Sequence, residues 1–298
     1  MSASSPRTAA PRLTLTPIER GILWPVVYAS VFEAGVPAAK LFDQIVGVPA
    51  SQGEIEQALS GPNLPELLSQ DRGLLSLRGH DLLALTARRA AATRDLLSAR
   101  ANVLAFVSRL KHIRLAALSG ACAHDSAEDG DIDVFLVTEE NTLWRTLLWS
   151  TVVAKARGWR RVLCLNYLVD SSTQSLPWRD FYGAFELISL RPFAGQGAFS
   201  DLLDHNKWAE PMFPNFFRAR LRGQNPSNKT PAAPGGKLLE ATARMIHRPY
   251  LRSRLSKGSG VELSDHVVRL HSTDHRDRLR NLFQDALDRL GVEAPPWI

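Results

Sequence analysis

Two aspartates one residue apart, Asp131 and Asp133 in "DGDIDVFLVTEE", are the residues of this chain best placed to do chemistry. The apolar run around them predicts a strand, and strand side chains alternate between faces. Both carboxylates therefore share a face, while Ile132 and Val134 turn into the core. Two carboxylates this close repel unless a positive charge lies between them. A hard divalent cation suits them, and Mg2+ takes one or two carboxylates together with the phosphates of a substrate. Upstream, "LSGA" (Leu118 to Ala121) reads as a small-residue turn. Its glycine lets the backbone N–H groups of Ser119, Gly120 and Ala121 approach a triphosphate. A cation on Asp131 and Asp133 would activate an attacking oxygen and neutralise a leaving pyrophosphate.

Other reactive side chains read as ordinary. His124 shares the loop "CAHDSAEDG" with Asp125, Glu128 and Asp129, and is expected to be solvated there. Nothing marks Cys122 as a thiolate, so it reads as a small buried filler. His266, His271 and His275 in "HVVRLHSTDHRDR" read as surface histidines on a basic helix, because no further ligands stand at metal-site spacing. Lys155, Arg157, Arg160 and Arg161 surround a helix end, where the dipole favours cations. Trp178 and Trp208 are expected to be packing residues.

The elements that must position the aspartates can be read around them. "RLAALS" and "DIDVFLVTE" predict two strands, and "NTLWRTLLWSTVVAKARG" a helix with Asn141 as its cap and Gly158 as its stop. "RRVLCLNYLVD" predicts a third strand and "RDFYGAFELISL" a helix ended by Pro192. This β–β–α–β order implies a mixed α/β sheet. Before it, residues 14–80 read as a helical unit. "TPIERGILWPVVYASVFEAG" starts on Thr-Pro, and Ser51 with Glu54 forms a capping-box pattern. "LLSQDRGLLSL" reads as a hairpin. Three helices and a hairpin suggest a winged helix. Residues 81–110, without Gly or Pro, predict one long connecting helix or two joined ones.

The expected domains are a disordered tail (1–13), a winged-helix-like unit (14–80), the connecting helix (81–110) and a catalytic α/β domain (111–221). A flexible linker (222–237) and a basic helical C-terminal region (238–298) follow.

The glycine turn, the short gap and the Asp-x-Asp inside a strand together resemble the nucleotidyltransferase superfamily of DNA polymerase β type. In this chain the pattern reads Leu118-Ser119-Gly120-Ala121, then Asp131-Ile132-Asp133-Val134. The wider chain, with "LCLNYLVD", "RDFYGAFEL" and "NKWAEPMFPN", is similar to a bacterial group of nucleotidyltransferase-domain proteins of about this length. The resemblance implies Mg2+-dependent transfer of a nucleoside monophosphate from a nucleoside triphosphate to an acceptor, with Asp131 and Asp133 as metal ligands. The acceptor, whether protein, RNA or small molecule, stays open.

Two departures from the superfamily pattern stand out. Its second Gly or Ser is Ala121 here. Its third carboxylate, on a neighbouring strand, is replaced by Asn166 in "VLCLNYLVD". That carboxylate helps activate the acceptor hydroxyl as base or ligand. Asp180 is one substitute. Asp170 is another, on Asn166's face by simple alternation. Glu186 is preferred: with Phe181, Phe185 and Ile188 facing the core, it falls at the flank of the cleft.

Composition sets outer bounds. The chain has 298 residues, 45% of them hydrophobic, and a net charge of +6. Its pI is about 9.6. Arginine, whose planar fork suits phosphate, greatly outnumbers lysine. No apolar run reaches the roughly 18 residues of a membrane span, and two cysteines make no disulfide framework, so a cytoplasmic protein without membrane contact is expected. The second and third helices of the N-terminal unit carry Asp43, Glu54 and Glu56 against one lysine, Lys40. That is a poor surface for duplex DNA. The competing expectation is a nucleic-acid-binding regulator or scaffold whose nucleotidyltransferase-like domain no longer turns over.

Overall fold

A computed structural model describes residues 14–128, 130–221, 236–254, 260–270 and 275–298. It has two sheets and thirteen α-helices among these residues, a mixed α/β architecture. The N-terminal tail and most of the expected linker lie outside the described residues.

The N-terminal unit begins with α1 (Pro17–Ser30). Thr16 caps it, and the Glu19 side chain answers the Thr16 N–H in a full capping box. There follow β1 (Val36–Pro37), α2 (Ala38–Gln44), α3 (Gln52–Leu59), α4 (Leu64–Leu67), β2 (Leu68–Asp71) and β3 (Leu74–Leu77). The Ser51–Glu54 capping box at α3 forms as the spacing predicts. The hairpin forms too: Arg72 and Gly73 both have positive φ, the backbone a two-residue turn between right-twisted strands requires. The two-residue β1, which the sequence reading lacks, adds to β3 and makes a three-stranded antiparallel sheet of order β1-β3-β2.

The connecting segment is two helices, α5 (Leu83–Ala99) and α6 (Ala101–Ser108), broken at Arg100. The central sheet is built from β4 (Ile113–Leu118), β5 (Ile132–Thr138) and β6 (Leu163–Asp170). A short turn of helix, α7 (Gly120–Ala123), follows β4, and α8 (Leu143–Ala156) crosses from β5 to β6. Next come α9 (Phe181–Ser189), β7 (Arg191–Ala194), α10 (Gly197–His205), a 3-10 turn at Lys207–Ala209, and α11 (Pro214–Leu221). The chain ends with α12 (Gly236–Arg254), β8 (Val261–Leu263), β9 (Val267–Leu270) and α13 (Arg276–Leu290).

The six strands run in the order β7-β4-β5-β6-β9-β8. Only β5 and β6 pair in parallel, as a crossover helix demands. The C-terminal region is therefore not helical alone: β8 and β9 complete the sheet, and His266 directly precedes a strand rather than lying on a helix. His271 lies outside the described residues. Pro192 begins no loop but sits in the edge strand β7, where a missing N–H is tolerated.

Each face of the sheet buries its own core. One holds Phe135, Val137, Tyr167 and Val169 against α9, α10, α11, α13 and the N-terminal unit. The other holds Ile132, Val134, Leu136 and Leu168 against α6, α8 and α12. The first core is continuous from α1 to α13. The Tyr28 ring packs on Phe181, Phe185 and Phe283, with centroids 5.2, 4.8 and 5.4 Å away. Among the described residues, no helix is long and apolar enough to cross a membrane.

Candidate functional site

Strand alternation places Asp133 on the first face of β5, in line with Phe135 and Val137, while Ile132 and Val134 are fully buried on the second. Asp131 precedes the strand. One oxygen of each carboxylate and the Cys164 sulfur lie within 4.8 Å of one another. Register explains the company: Asp133 stands opposite Cys164 in the parallel pair.

The register then shifts. Asp133 pairs with Cys164, but Phe135 pairs with Tyr167, so β6 carries one extra residue there. The irregularity turns Asn166 toward Asp133, and its side-chain N–H donates to the Asp133 Oδ1. The Cys164 thiol donates to the Asn166 carbonyl at 2.7 Å. Asn166 thus takes the expected position on the carboxylate face.

The same extra residue overturns the expectation for Asp170. A one-residue slip reverses the faces beyond it. Leu168 faces the second core, and Asp170, two residues on, follows it. Asp170 is also opposite Thr138, five residues past Asp133's position, about 17 Å along the strand. It is 1% exposed and accepts the N–H groups of Asn141 and Ser172 at 2.7 and 2.8 Å. Asp170 is a brace for the loop entering α8, not a member of this site.

Glu186 lies on the side of the site, near enough for its charge to act on Asp133. Phe185 and Ile188 of α9 are buried as the helix pattern predicts, and Glu186 lies half-buried beside them. His124, expected as a solvated loop residue, stacks instead on Phe185 with ring centroids 5.7 Å apart, and its Nε2 lies 3.6 Å from the Glu186 Oε1. Asp180, the other acid considered, caps α9 by accepting the Gly183 N–H at 2.8 Å.

The glycine turn is tied to the aspartates by its backbone. The Ser119 N–H donates to the Asp133 carbonyl at 3.0 Å. Gly120 has φ +53°, and a Cβ there would stand 2.5 Å from the Asp133 Oδ2. Only glycine leaves that carboxylate its place. Ala121 and Cys122 continue into α7. Burial pushes the Cys122 thiol up to about 11, so it is the inert filler expected.

Burial, then the neighbouring Asp131, pushes the Asp133 carboxyl up to about 6, against the opposing hydrogen bonds of Asn166 and Cys164. Burial first, with Asp133 and Asp131, pushes the Cys164 thiol up to about 12. The Cys164 thiol donates to Asn166, and the hard ligands of the group are the carboxylate oxygens of Asp131 and Asp133. An uncompensated carboxylate pair with oxygen donors fits a hard cation such as Mg2+.

Several residues that frame the site carry no local sequence signal. Asp125 accepts from both Lys40 of α2 and Arg191 of β7, and these cations hold its carboxyl below the usual range against burial, the largest single influence, which raises it. Arg89 of α5 bonds Glu128 at 2.7 Å and the carbonyls of Phe32 and Glu33. Thr93 accepts the Ala127 N–H at 3.0 Å. The loop between the glycine turn and the aspartates is thereby fixed by three separate elements. Each partner is distant in sequence, so no spacing rule could find it.

Comparisons with protein-family models, with curated proteins and with solved structures each found no match for this chain.

Proposed function

We propose that this chain is a Mg2+-dependent nucleotidyltransferase that moves a nucleoside monophosphate from a nucleoside triphosphate to an acceptor hydroxyl. The observation that carries this reading is the Asp131–Asp133 pair set against Gly120, whose missing Cβ leaves room for the Asp133 carboxylate. Asp131 and Asp133 would hold the cation. When bound, such an ion supplies charge neutralisation for the triphosphate and the departing pyrophosphate.

The chain's own groups supply the rest. With the Ser119 N–H held by the Asp133 carbonyl, the backbone at Gly120 and Ala121 would face the phosphates. Glu186 takes the proton of the acceptor hydroxyl as its oxygen bonds to the α-phosphorus and pyrophosphate leaves. His124, 3.6 Å from Glu186 and stacked on Phe185, orients that carboxylate. Asn166 cannot accept a proton, but it fixes the Asp133 carboxylate.

The order α1-β1-α2-α3-α4-β2-β3, with its three-stranded sheet, supports a winged-helix reading of residues 14–80. We read this unit as a packing module rather than a DNA reader. Its α2 packs against α11, where Asp43 bonds Arg220 at 2.8 Å, and Asn215 exchanges two hydrogen bonds with the Ala50 backbone.

A second reading, nucleotide binding without transfer, draws on Asn166 standing where a third carboxylate would be. One experiment separates the two. Calorimetry with Mg2+ and a non-hydrolysable triphosphate is expected to show binding that Asp133→Asn weakens at least ten-fold. Incubation of the full chain and cell extract with each labelled triphosphate is expected to transfer label, and Glu186→Gln to stop transfer while binding persists. Binding without any transfer selects the second reading, and unchanged affinity in Asp133→Asn removes both.

A further inference from the structure

On the opposite face of the central sheet from Asp133, an open cleft of about 780 Å3 lies between α6 and α8. Arg109, Lys111, Arg145 and Arg157 line it, and no aspartate or glutamate does among the described residues. Arg109, Lys111 and Arg157 form no ion pair with any described residue. Arg145 adds positive charge beneath the lining. Its Nε and Nη2 are buried and have no hydrogen-bond partner among the described residues. The acid whose charge it feels, Glu240, has its oxygens engaged by the backbone N–H groups of Trp144 and Arg145. A concave wall on which Arg109, Lys111 and Arg157 are exposed without an acidic partner concentrates anions.

Aromatic rings share the same walls. Trp149 is 59% exposed in the middle of α8, so core packing does not account for it. Phe106 and Trp159 pack on each other in its wall with centroids 5.7 Å apart, and the Arg157 guanidinium lies 5.7 Å from the Trp159 ring. Exposed cations beside the accessible Trp149 ring match a ligand that carries both phosphates and flat bases. In a duplex those bases face each other and offer no face to Trp149. A single strand does.

We propose that this cleft binds single-stranded nucleic acid, with backbone phosphates on the exposed Arg109, Lys111 and Arg157 and a base stacked on Trp149. The cleft contains none of the groups of the aspartate site, so the proposal does not rest on nucleotidyl transfer. Fluorescence anisotropy of the full chain with labelled oligouridylate and oligothymidylate of about 12 residues tests it. Work in EDTA removes any contribution from a cation at Asp131 and Asp133. The expected result is saturable binding that weakens steeply between about 50 and about 200 mM salt. Trp149→Ala is expected to weaken it roughly ten-fold, with Trp149→Phe restoring most of the loss. Lys111→Gln is expected to weaken every sequence alike and lower the salt slope by about one. Both positions are exposed, and unchanged melting temperatures check that the variants fold. Lack of saturable binding, equal binding by Trp149→Ala, duplex bound as tightly as single strand, or preference for anionic lipid vesicles would each overturn the proposal.

Discussion

At the scale of the residue, Asp133 is held in a state that folding alone does not favour. Its carboxyl rises from an ordinary 3.8 to about 6 through burial and the charge of Asp131. The folded chain therefore holds this proton more tightly than the unfolded chain does. Between those two values stability falls as pH rises, and above the upper one the full cost persists. In the absence of divalent cations, Asp133→Asn is expected to be more stable than the natural chain at about pH 7.5, by on the order of 2 kcal/mol. Near pH 3.5, where the unfolded aspartate is also largely protonated, the difference should shrink toward zero. Adding Mg2+ should stabilise the natural chain and not the variant. Urea denaturation at the two pH values measures this, and a variant less stable at the higher pH would sink the account.

At the scale of the element, the start of α8 is capped from another helix. Asn141 is the residue that spacing nominates, but it has φ +58° and gives its N–H to Asp170 instead. Thr142 makes no side-chain cap. Glu240 of α12 supplies it, accepting the Trp144 N–H and, at 3.1 Å, the Arg145 N–H. Its buried carboxylate also stands at the positive end of the helix dipole. Glu240→Ala is expected to cost about 2–3 kcal/mol, because two helix-terminal N–H groups lose their acceptors. Glu240→Gln should cost roughly half as much, since one amide oxygen remains. Denaturation midpoints should rank natural chain, Gln and Ala in that order, and a harmless Ala variant would show that the contact is incidental.

At the scale of the whole molecule, the N-terminal unit and the central sheet share one core. Beyond the Tyr28 aromatic cluster, the Trp24 indole donates to the Glu293 carbonyl at 2.8 Å, across 269 residues of sequence. Domains joined in this way unfold together. Circular dichroism and tryptophan fluorescence are expected to report one coincident transition. Tyr28→Ala should lower it by about 3–5 kcal/mol through the cavity left among the phenylalanines. Tyr28→Phe should leave it nearly unchanged, because the buried Tyr28 hydroxyl has no hydrogen-bond partner among the described residues. Two separated transitions, with Tyr28→Ala moving only one, would mean that the units fold independently.

The sequence by itself determined the local features. The helix start at Thr16-Pro17, the capping box at Ser51, the turn at Arg72-Gly73 and the β–α–β core of the sheet follow from contacts three or four residues apart or from simple alternation. The nearness of Asp131 and Asp133 and the glycine turn beside them were legible in the same local way. Tertiary structure decided whatever depends on register or on distant partners. The extra residue in β6 brought Asn166 to Asp133 and sent Asp170 to the other face, a slip that no count along one strand reveals. It also decided that β8 and β9 complete the sheet, that Glu240 caps α8 and that Lys40, Arg89 and Arg191 fix the loop before Asp131. These pairings join groups tens to hundreds of residues apart. Their geometry exists only once both faces of the sheet have buried their cores.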